Sequence, residues 1–135
     1  MRFADTNVLL YSVSTVPAEA AKARKAQALL ANQDIVLSVQ VLQEFYVQAT
    51  RASRTDPLGH DEAMEFIRAW RRFSTQELAL AVLDEALATK ARFQISYWDA
   101  AIIAAARASG CTEVLSEDLN DGQDYGGVRV VNPFR

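Results

Sequence analysis

Cysteine and histidine are almost absent from this chain of 135 residues, which contains one of each. Cys111 therefore has no partner for a disulfide within the chain, and a zinc site built from several thiolates is excluded. His60 alone cannot form an imidazole cluster, so any metal site must be built from oxygen ligands. Glycine and proline are also scarce, at five and three residues, which argues against an all-β sandwich with many turns.

Long hydrophobic runs are missing as well. The longest uninterrupted apolar run is Ala100–Ala106, far shorter than the roughly 20 residues that span a bilayer. Near the N-terminus, the apolar stretch Val8–Val13 is interrupted by Ser12 and preceded by Asp5, which is not typical of a signal peptide. We therefore expect a cytoplasmic protein without a membrane segment.

The chain also lacks an excess of positive charge. The chain has 14 basic and 17 acidic side chains, and its net charge is −3. The surplus of acids lies in residues 108–128, which contain no Lys or Arg. A protein that binds nucleic acid through bulk positive charge is not expected to have this distribution. Contact with nucleic acid would therefore be local and would need the help of a divalent cation.

Half of the residues are apolar and 23% are charged, which is typical of a globular protein. We expect residues 1–135 to form a single domain. Short apolar runs predict strands at 2–5, 35–37, 113–116 and 128–131, and longer patterns predict helices at 17–32, 39–52, 60–73, 79–93 and 97–109. Because helices separate the strands, the strands should pair in parallel. The predicted fold is α/β, a three-layer α/β/α sandwich around a mainly parallel sheet of four to five strands.

Acidic residues directly after strands are candidate site residues, since ligands bind at the carboxyl ends of parallel strands. Asp5 ends the first predicted strand, and Asp118 lies two residues after the strand that ends at Ser116. Each has an ordinary alternative. Asp5 is equally well explained as the N-cap of a helix, and Asp118 alone is better explained as an ordinary loop acid.

Two further acids lie on predicted helices. Asp99 begins a helix that is apolar around nearly its whole circumference, where an ionised carboxylate is costly unless a cation or hydrogen-bond donors meet it. The alternative is a shortened capping box with Ser96. Glu44 lies opposite the apolar face of its helix, together with Gln40 and Gln48. Periodicity alone therefore predicts that Glu44 is solvent-exposed.

Four short motifs contain these acids and follow one another along the chain: Asp5-Thr6-Asn7, Gln43-Glu44-Phe45, Tyr97-Trp98-Asp99-Ala100 and Ser116-Glu117-Asp118-Leu119. Together they resemble the four acidic motifs of PIN-domain nucleases, and the chain is especially similar to bacterial VapC-type toxins of toxin–antitoxin pairs. The resemblance covers the whole chain and implies a PIN-like fold. It also implies that the four acids converge to hold Mg²⁺, for which Mn²⁺ substitutes, and that the substrate is RNA.

Other residues of the motifs follow the same resemblance. Asn120 stands where many relatives have a further Asp, so the neighbouring Asp121 is an additional candidate metal ligand. Ser116 keeps the hydroxyl of the threonine that is common at its position. With Asn7, it is expected to orient the ligating carboxylates.

The resemblance implies a metal-dependent endoribonuclease, the toxin of a toxin–antitoxin module, which forms a homodimer and is silenced by a cognate antitoxin protein. Carboxylates without His or Cys suit Mg²⁺ or Mn²⁺ and disfavour zinc. Arg51 and Arg54 follow the helix of Glu44 and are candidate RNA-binding residues. The alternative is a catalytically silent PIN-fold module that binds RNA or protein. The presence of all four acids favours the enzyme.

Overall fold

The computed structural model describes residues 1–135, which form five strands and six α-helices. The strands are β1 (Arg2–Ala4), β2 (Ile35–Ser38), β3 (Ser74–Gln76), β4 (Glu113–Leu115) and β5 (Arg129–Val131). The helices are α1 (Thr6–Ser12), α2 (Ala20–Leu30), α3 (Val39–Thr50), α4 (His60–Trp70), α5 (Leu80–Phe93) and α6 (Tyr97–Ala108), and a short 3₁₀ turn, Pro17–Glu19, precedes α2. None of the helices combines the length and apolar character needed to cross a membrane.

The strands form one sheet in the order β3-β2-β1-β4-β5, and all four pairings are parallel. Crossovers between parallel strands are right-handed, and the chain moves in one direction from β1 to β3 and in the other from β3 to β5. Helices α1–α4 therefore cover one face of the sheet, and α5 and α6 cover the other. The predicted three-layer sandwich with a parallel sheet is confirmed.

Two elements differ from the prediction. The helix predicted to continue to Phe73 ends at Trp70, and β3 follows almost at once. Phe73 is buried in the intervening turn, so its apolar side chain extended the helical pattern beyond the real end of α4. The residues of β3 are polar and form an edge strand, which gives no alternation of buried and exposed positions. In addition, the apolar stretch after β1 is the helix α1, which the sequence pattern did not identify.

Small side chains dominate the most buried helix. Every residue from Ala100 to Ala106 in α6 is buried, as its uniform apolar sequence predicts. Five of these seven residues are alanine, which lets α6 approach its neighbours closely. At the start of α6, before this buried run, Trp98 is exposed and Asp99 is partly exposed.

The strand order changes direction between β1 and β4, which lie side by side at the centre of the sheet. Their last residues, Ala4 and Leu115, are in register, and the backbone N–H of Asp5 donates to the Leu115 carbonyl at 3.0 Å. In open α/β sheets, ligands bind in a crevice at this position, outside the carboxyl ends of the strands. The loops after β1 and β4 border it.

Candidate functional site

Asp5 lies directly after β1 and is only 8% exposed. One carboxylate oxygen accepts a hydrogen bond from the backbone N–H of Thr6 at 2.7 Å, as the N-cap of α1. The other accepts from the hydroxyl of Ser116 at 2.7 Å. The N-cap interpretation therefore describes one oxygen of Asp5, while the second oxygen ties the end of β1 to the end of β4.

Asn7 and Ser116 hold the turn that carries Asp118. The Asn7 amide nitrogen lies 3.2 Å from a carboxylate oxygen of Asp118 and 3.3 Å from the Ser116 hydroxyl. The amide oxygen of Asn7 accepts from the backbone N–H of Glu117 at 3.2 Å. The Ser116 hydroxyl in turn accepts from the backbone N–H of Asp118 at 3.1 Å. These two side chains thus contact both strand-end acids directly.

Glu44 is half-buried and faces α1 instead of open solvent. Its carboxylate accepts from the Thr6 hydroxyl at 3.3 Å and from the Gln40 side-chain amide at 3.2 Å. The expectation of a solvent-exposed glutamate is wrong because a helical wheel describes only its own helix. Gln40 is also buried, and its amide lies 3.4 Å from the carbonyl of Trp98, which links α3 to the start of α6.

Asp99 lies in the first turn of α6 and is partly exposed. The Ser96 hydroxyl accepts from the backbone N–H of Asp99 at 3.1 Å, which is one half of a capping box. The reverse hydrogen bond, from the backbone of Ser96 to the Asp99 carboxylate, is not formed. The capping-box alternative therefore does not account for the carboxylate itself.

The four acids Asp5, Glu44, Asp99 and Asp118 line a single cleft of about 350 Å³. The cleft continues along α1 to the loop that follows it and reaches the loop between α3 and α4. Three more carboxylates line it, those of Glu19, Asp56 and Glu117. Arg54 is the one basic residue on its wall, and Arg51, on the same loop, is exposed outside it.

Among the acids of the cleft, Asp5 is the one whose pKa is raised. Burial raises the pKa of Asp5 from 3.8 to about 6; hydrogen bonds from Ser116 and Thr6 oppose the rise, and the charges of Glu44 and Asp118 add to it. The metal-free cleft therefore opposes full ionisation of its own acids.

Oxygen donors of this kind fit a hard divalent cation and not zinc. No three His, Cys, Asp or Glu side chains are arranged to hold an ion in common. The Asp99 carboxylate is partly exposed and accepts no hydrogen bond, so it is free to turn. That of Asp118 is exposed and would turn by giving up its one bond from Asn7, whereas Asp5 is fixed by two hydrogen bonds. The donor chemistry fits Mg²⁺, and coordination by three or more of the acids requires such rotations.

Asp121 is not brought together with the other four acids. One oxygen accepts from the backbone N–H of Asn132 at 2.8 Å, and the other lies 3.3 Å from a guanidinium nitrogen of Arg135. Asp121 therefore contacts the C-terminal segment, and it is not among the residues that line the cleft.

Thr6 and Gln40 are contacts of Glu44 that the sequence interpretation missed. A signal for each exists in the sequence. Thr6 belongs to the first acidic motif, and Gln40 precedes Glu44 by four residues, the spacing at which helical side chains meet.

The raised pKa of Asp5 predicts a pH dependence of stability in the metal-free protein. Between pH 3.8 and about 6 the folded state keeps a proton that the unfolded chain has lost, so the free energy of unfolding falls as pH rises through this window. The expected loss is about 3 kcal/mol. Urea unfolding in EDTA from pH 4 to 8 should show it as a difference between the wild type and Asp5→Asn. A difference that does not change with pH would contradict the assignment.

Solved structures similar to this fold include several toxin–antitoxin proteins. A toxin–antitoxin complex from Klebsiella pneumoniae has a TM-score of 0.68 and 22% identity, covering 98% of this chain and 98% of that chain. Mycobacterium tuberculosis VapC20, described as a Sarcin-Ricin loop cleaving toxin, has a TM-score of 0.67 and 21% identity, covering 87% of this chain and 92% of that chain. DNA-bound VapBC from Salmonella typhimurium has a TM-score of 0.66 and 14% identity, covering 96% and 95%. These likenesses show a shared fold.

No curated protein sequence matches the chain significantly. The PIN domain family, in contrast, matches residues 2–120. The match extends from β1 past β4 and includes the four cleft acids Asp5, Glu44, Asp99 and Asp118. The chain therefore belongs to the PIN domain family.

Proposed function

We propose that this protein is a metal-dependent endoribonuclease, the toxin of a toxin–antitoxin module, and that it acts on RNA in the cytoplasm. The observation that carries the proposal is the lining of one cleft by four acids: Asp5 and Asp118 after the adjacent parallel strands β1 and β4, Glu44 on α3 and Asp99 on α6. Membership of the PIN domain family supports it. So does the shared fold with VapC20, which is described as a Sarcin-Ricin loop cleaving toxin.

Asp5, Glu44, Asp99 and Asp118 would hold Mg²⁺, with Mn²⁺ as a substitute. The bound ion would neutralise charge on a phosphodiester and lower the pKa of an attacking water. The chain's own contribution is orientation. Ser116 and Asn7 fix the acids at the two strand ends, and Thr6 and Gln40 fix Glu44. No lysine or histidine lines the cleft, so a proton acceptor supplied by the chain would be a carboxylate.

Arg54 and Arg51 are the proposed RNA-binding residues. Arg54 lines the cleft and would contact a phosphate near the reacting bond. Arg51 lies outside the cleft on the same loop, where it would contact a phosphate further along the strand.

We also propose a homodimer and a cognate antitoxin as protein partners. An exposed apolar face lies on and beside α5; its exposed side chains are Leu78, Leu80, Leu83, Leu87 and Trp98. Next to the protruding Leu80, which is 80% exposed, lies an apolar groove of about 400 Å³ between the start of α5 and α6. A protrusion beside a groove can pair with its own copy about a two-fold axis. The toxin–antitoxin complexes that share this fold support the antitoxin.

The second candidate function is a catalytically silent PIN-fold module that binds RNA or protein. It is favoured by the absence of any three acids arranged to hold an ion in common. The two functions differ in one measurable respect, since a silent module binds its partner and leaves it intact.

The proposed nuclease function predicts that the protein cleaves single-stranded RNA in the presence of Mg²⁺ or Mn²⁺ and that EDTA stops the cleavage. Asp99→Asn should abolish cleavage and leave the metal-free protein as stable or more stable, because the carboxylate makes no hydrogen bond and its removal reduces repulsion. Mn²⁺ should raise the Tm of the wild type more than that of the variant. Gel assays and thermal melts measure both effects.

Asp84→Asn is the matched control, since Asp84 is an exposed acid on α5 and should change neither cleavage nor the Mn²⁺ shift. Cleavage that survives EDTA would exclude the metal mechanism. A destabilised Asp99→Asn with an unchanged Mn²⁺ shift would contradict the metal assignment of Asp99.

Asp118→Asn and Asp121→Asn should separate the cleft acid from its neighbour. Loss of the Asp118 charge should lower kcat by more than about 100-fold. Asp121→Asn keeps an oxygen for the backbone N–H of Asn132 and loses only an exposed ion pair with Arg135, so its kcat should stay within a few-fold of the wild type. Equal losses in the two variants would show that Asp121 takes part in the reaction.

The proposed dimer face predicts that Leu80→Glu converts a dimer into a monomer. Light scattering coupled to size-exclusion chromatography measures the mass directly. The matched control is Val47→Glu on α3, because Val47 is also an exposed apolar residue, at 62%, but lies outside the α5 groove. A wild type that is monomeric at micromolar concentration, or a Leu80→Glu variant that remains a dimer, would contradict this face.

A further inference from the structure

A lysine is held at the edge of the acidic cleft by two of the residues that line it. The ammonium of Lys22, on α2, lies 2.7 Å from a carboxylate oxygen of Glu117 and 3.3 Å from the hydroxyl of Tyr11. The Tyr11 hydroxyl donates to the other oxygen of Glu117 at 2.6 Å. The ammonium also lies 4.9 Å from the centre of the Tyr11 ring, and Phe134 packs edge-on against that ring.

Glu117 and Tyr11 both line the cleft, and Glu117 directly precedes Asp118. The Lys22 charge therefore lies beside the proposed reaction centre. It enters from α2, an element that contributes nothing else to the cleft wall. Lysine and glutamate side chains are both ordinarily charged at neutral pH, so the 2.7 Å contact is an ion pair.

An RNA strand carries a negative charge at every phosphate, and the cleft offers it seven carboxylates and one arginine. A divalent cation can serve the reacting phosphate, but the phosphates on either side of it need other cations. Besides Arg54, which lines the cleft, Lys22 is a basic residue that contacts two residues of its wall, Glu117 and Tyr11. Its side chain is 40% exposed and that of Glu117 is 27% exposed, and ion pairs this exposed are weak. A phosphate can therefore displace Glu117 at small cost.

The other ion pairs of the chain differ in this respect. There are three of them, Arg2–Asp34, Arg107–Glu85 and Arg135–Asp121, and none uses an acid of the cleft. Only the Lys22–Glu117 pair brings a basic side chain to the cleft through one of its acids.

We propose that Lys22 binds an RNA backbone phosphate next to the one held at the four acids, and that Glu117 holds the ammonium in place until RNA displaces it. Tyr11 keeps the lysine at this position through its ring and hydroxyl. The inference rests on the proposed function, because it takes RNA as the ligand. It adds a binding residue outside the four acidic motifs and gives Glu117 a role separate from metal binding.

Binding of RNA to an inactive protein tests the proposal directly. The probe is a fluorescein-labelled, single-stranded RNA 12-mer of mixed sequence, since phosphate contacts are independent of sequence. Affinity is measured by fluorescence anisotropy at several KCl concentrations, with Asp99→Asn as the parent protein. Adding Lys22→Gln should weaken binding several-fold and make the slope of log K against log [KCl] shallower by about 0.7, the value for one phosphate contact with a single strand.

Lys25→Gln is the matched control. It removes the same charge from the same helix, but Lys25 is exposed and makes no contact with a cleft residue. Its slope should equal that of the parent. Thermal melts of both variants show whether either change acts through stability.

Glu117→Gln should act in the opposite direction. Removal of the competing carboxylate frees the Lys22 charge, so RNA should bind more tightly than it binds the parent. In the double variant with Lys22→Gln most of this gain should disappear, because two changes that act through one contact are not additive.

The outcomes separate this inference from the proposed function. An unchanged salt slope in Lys22→Gln, with or without a lower Tm, overturns the role of Lys22, and so does an equal change in Lys25→Gln. Weaker binding by Glu117→Gln overturns its role as a competitor. Failure of the parent to bind RNA overturns both proposals. A Lys22-dependent slope in a protein whose wild type does not cleave RNA supports the phosphate contact and excludes the nuclease.

Discussion

The hydrogen bond between Asp5 and Ser116 is the interaction on which the rest of the cleft depends. β1 and β4 are each only three residues long. Few backbone hydrogen bonds between them are therefore available to fix the direction of the chain after each strand. The buried 2.7 Å hydrogen bond holds the ends of the two strands together. The other oxygen of Asp5 caps the N-terminus of α1, which begins at the next residue. Once α1 begins there, Thr6 reaches Glu44 and Asn7 reaches the turn of Asp118. One carboxylate thus sets the positions of the other two.

Those parts of the fold that follow from local pattern could be predicted from the sequence. Alternating strands and helices imply a parallel sheet, and the unbroken apolar sequence of α6 implies its burial. The edge strand β3 could not be predicted, because polar residues at a sheet edge carry no alternation. Glu44 was found only through the resemblance of its motif. Its periodicity indicated solvent, since a wheel cannot show that α1 packs against that side of α3. The sequence could not show whether Asp121 lines the cleft. Its hydrogen bond with the backbone of Asn132 depends on the path of the loop between β4 and β5.

The cleft illustrates a conflict between folding and function. Burial of Asp5 beside Glu44 and Asp118 disfavours the charged form, yet every buried side-chain polar atom of the chain has a hydrogen-bond partner. The fold therefore tolerates the acids through donors on α1, α3 and the turn after β4, and leaves Asp99 and Asp118 less constrained. For acids proposed as metal ligands, this partial freedom to turn is consistent with a site whose geometry an ion would complete.

The proposed RNA substrate is a polyanion, and the protein is acidic. A net charge of −3 excludes binding through a general basic surface, but it does not limit single cations placed at the cleft. α1 is seven residues long, about 10 Å; Asp5 caps its beginning, and Tyr11 lies near its end beside Lys22. The helix that orients the acids thus also supports the lysine. If RNA binds as proposed, few cations contact it, so its affinity should depend weakly on salt and strongly on the position of each contact. Binding within the cleft is then favoured over binding to the general surface.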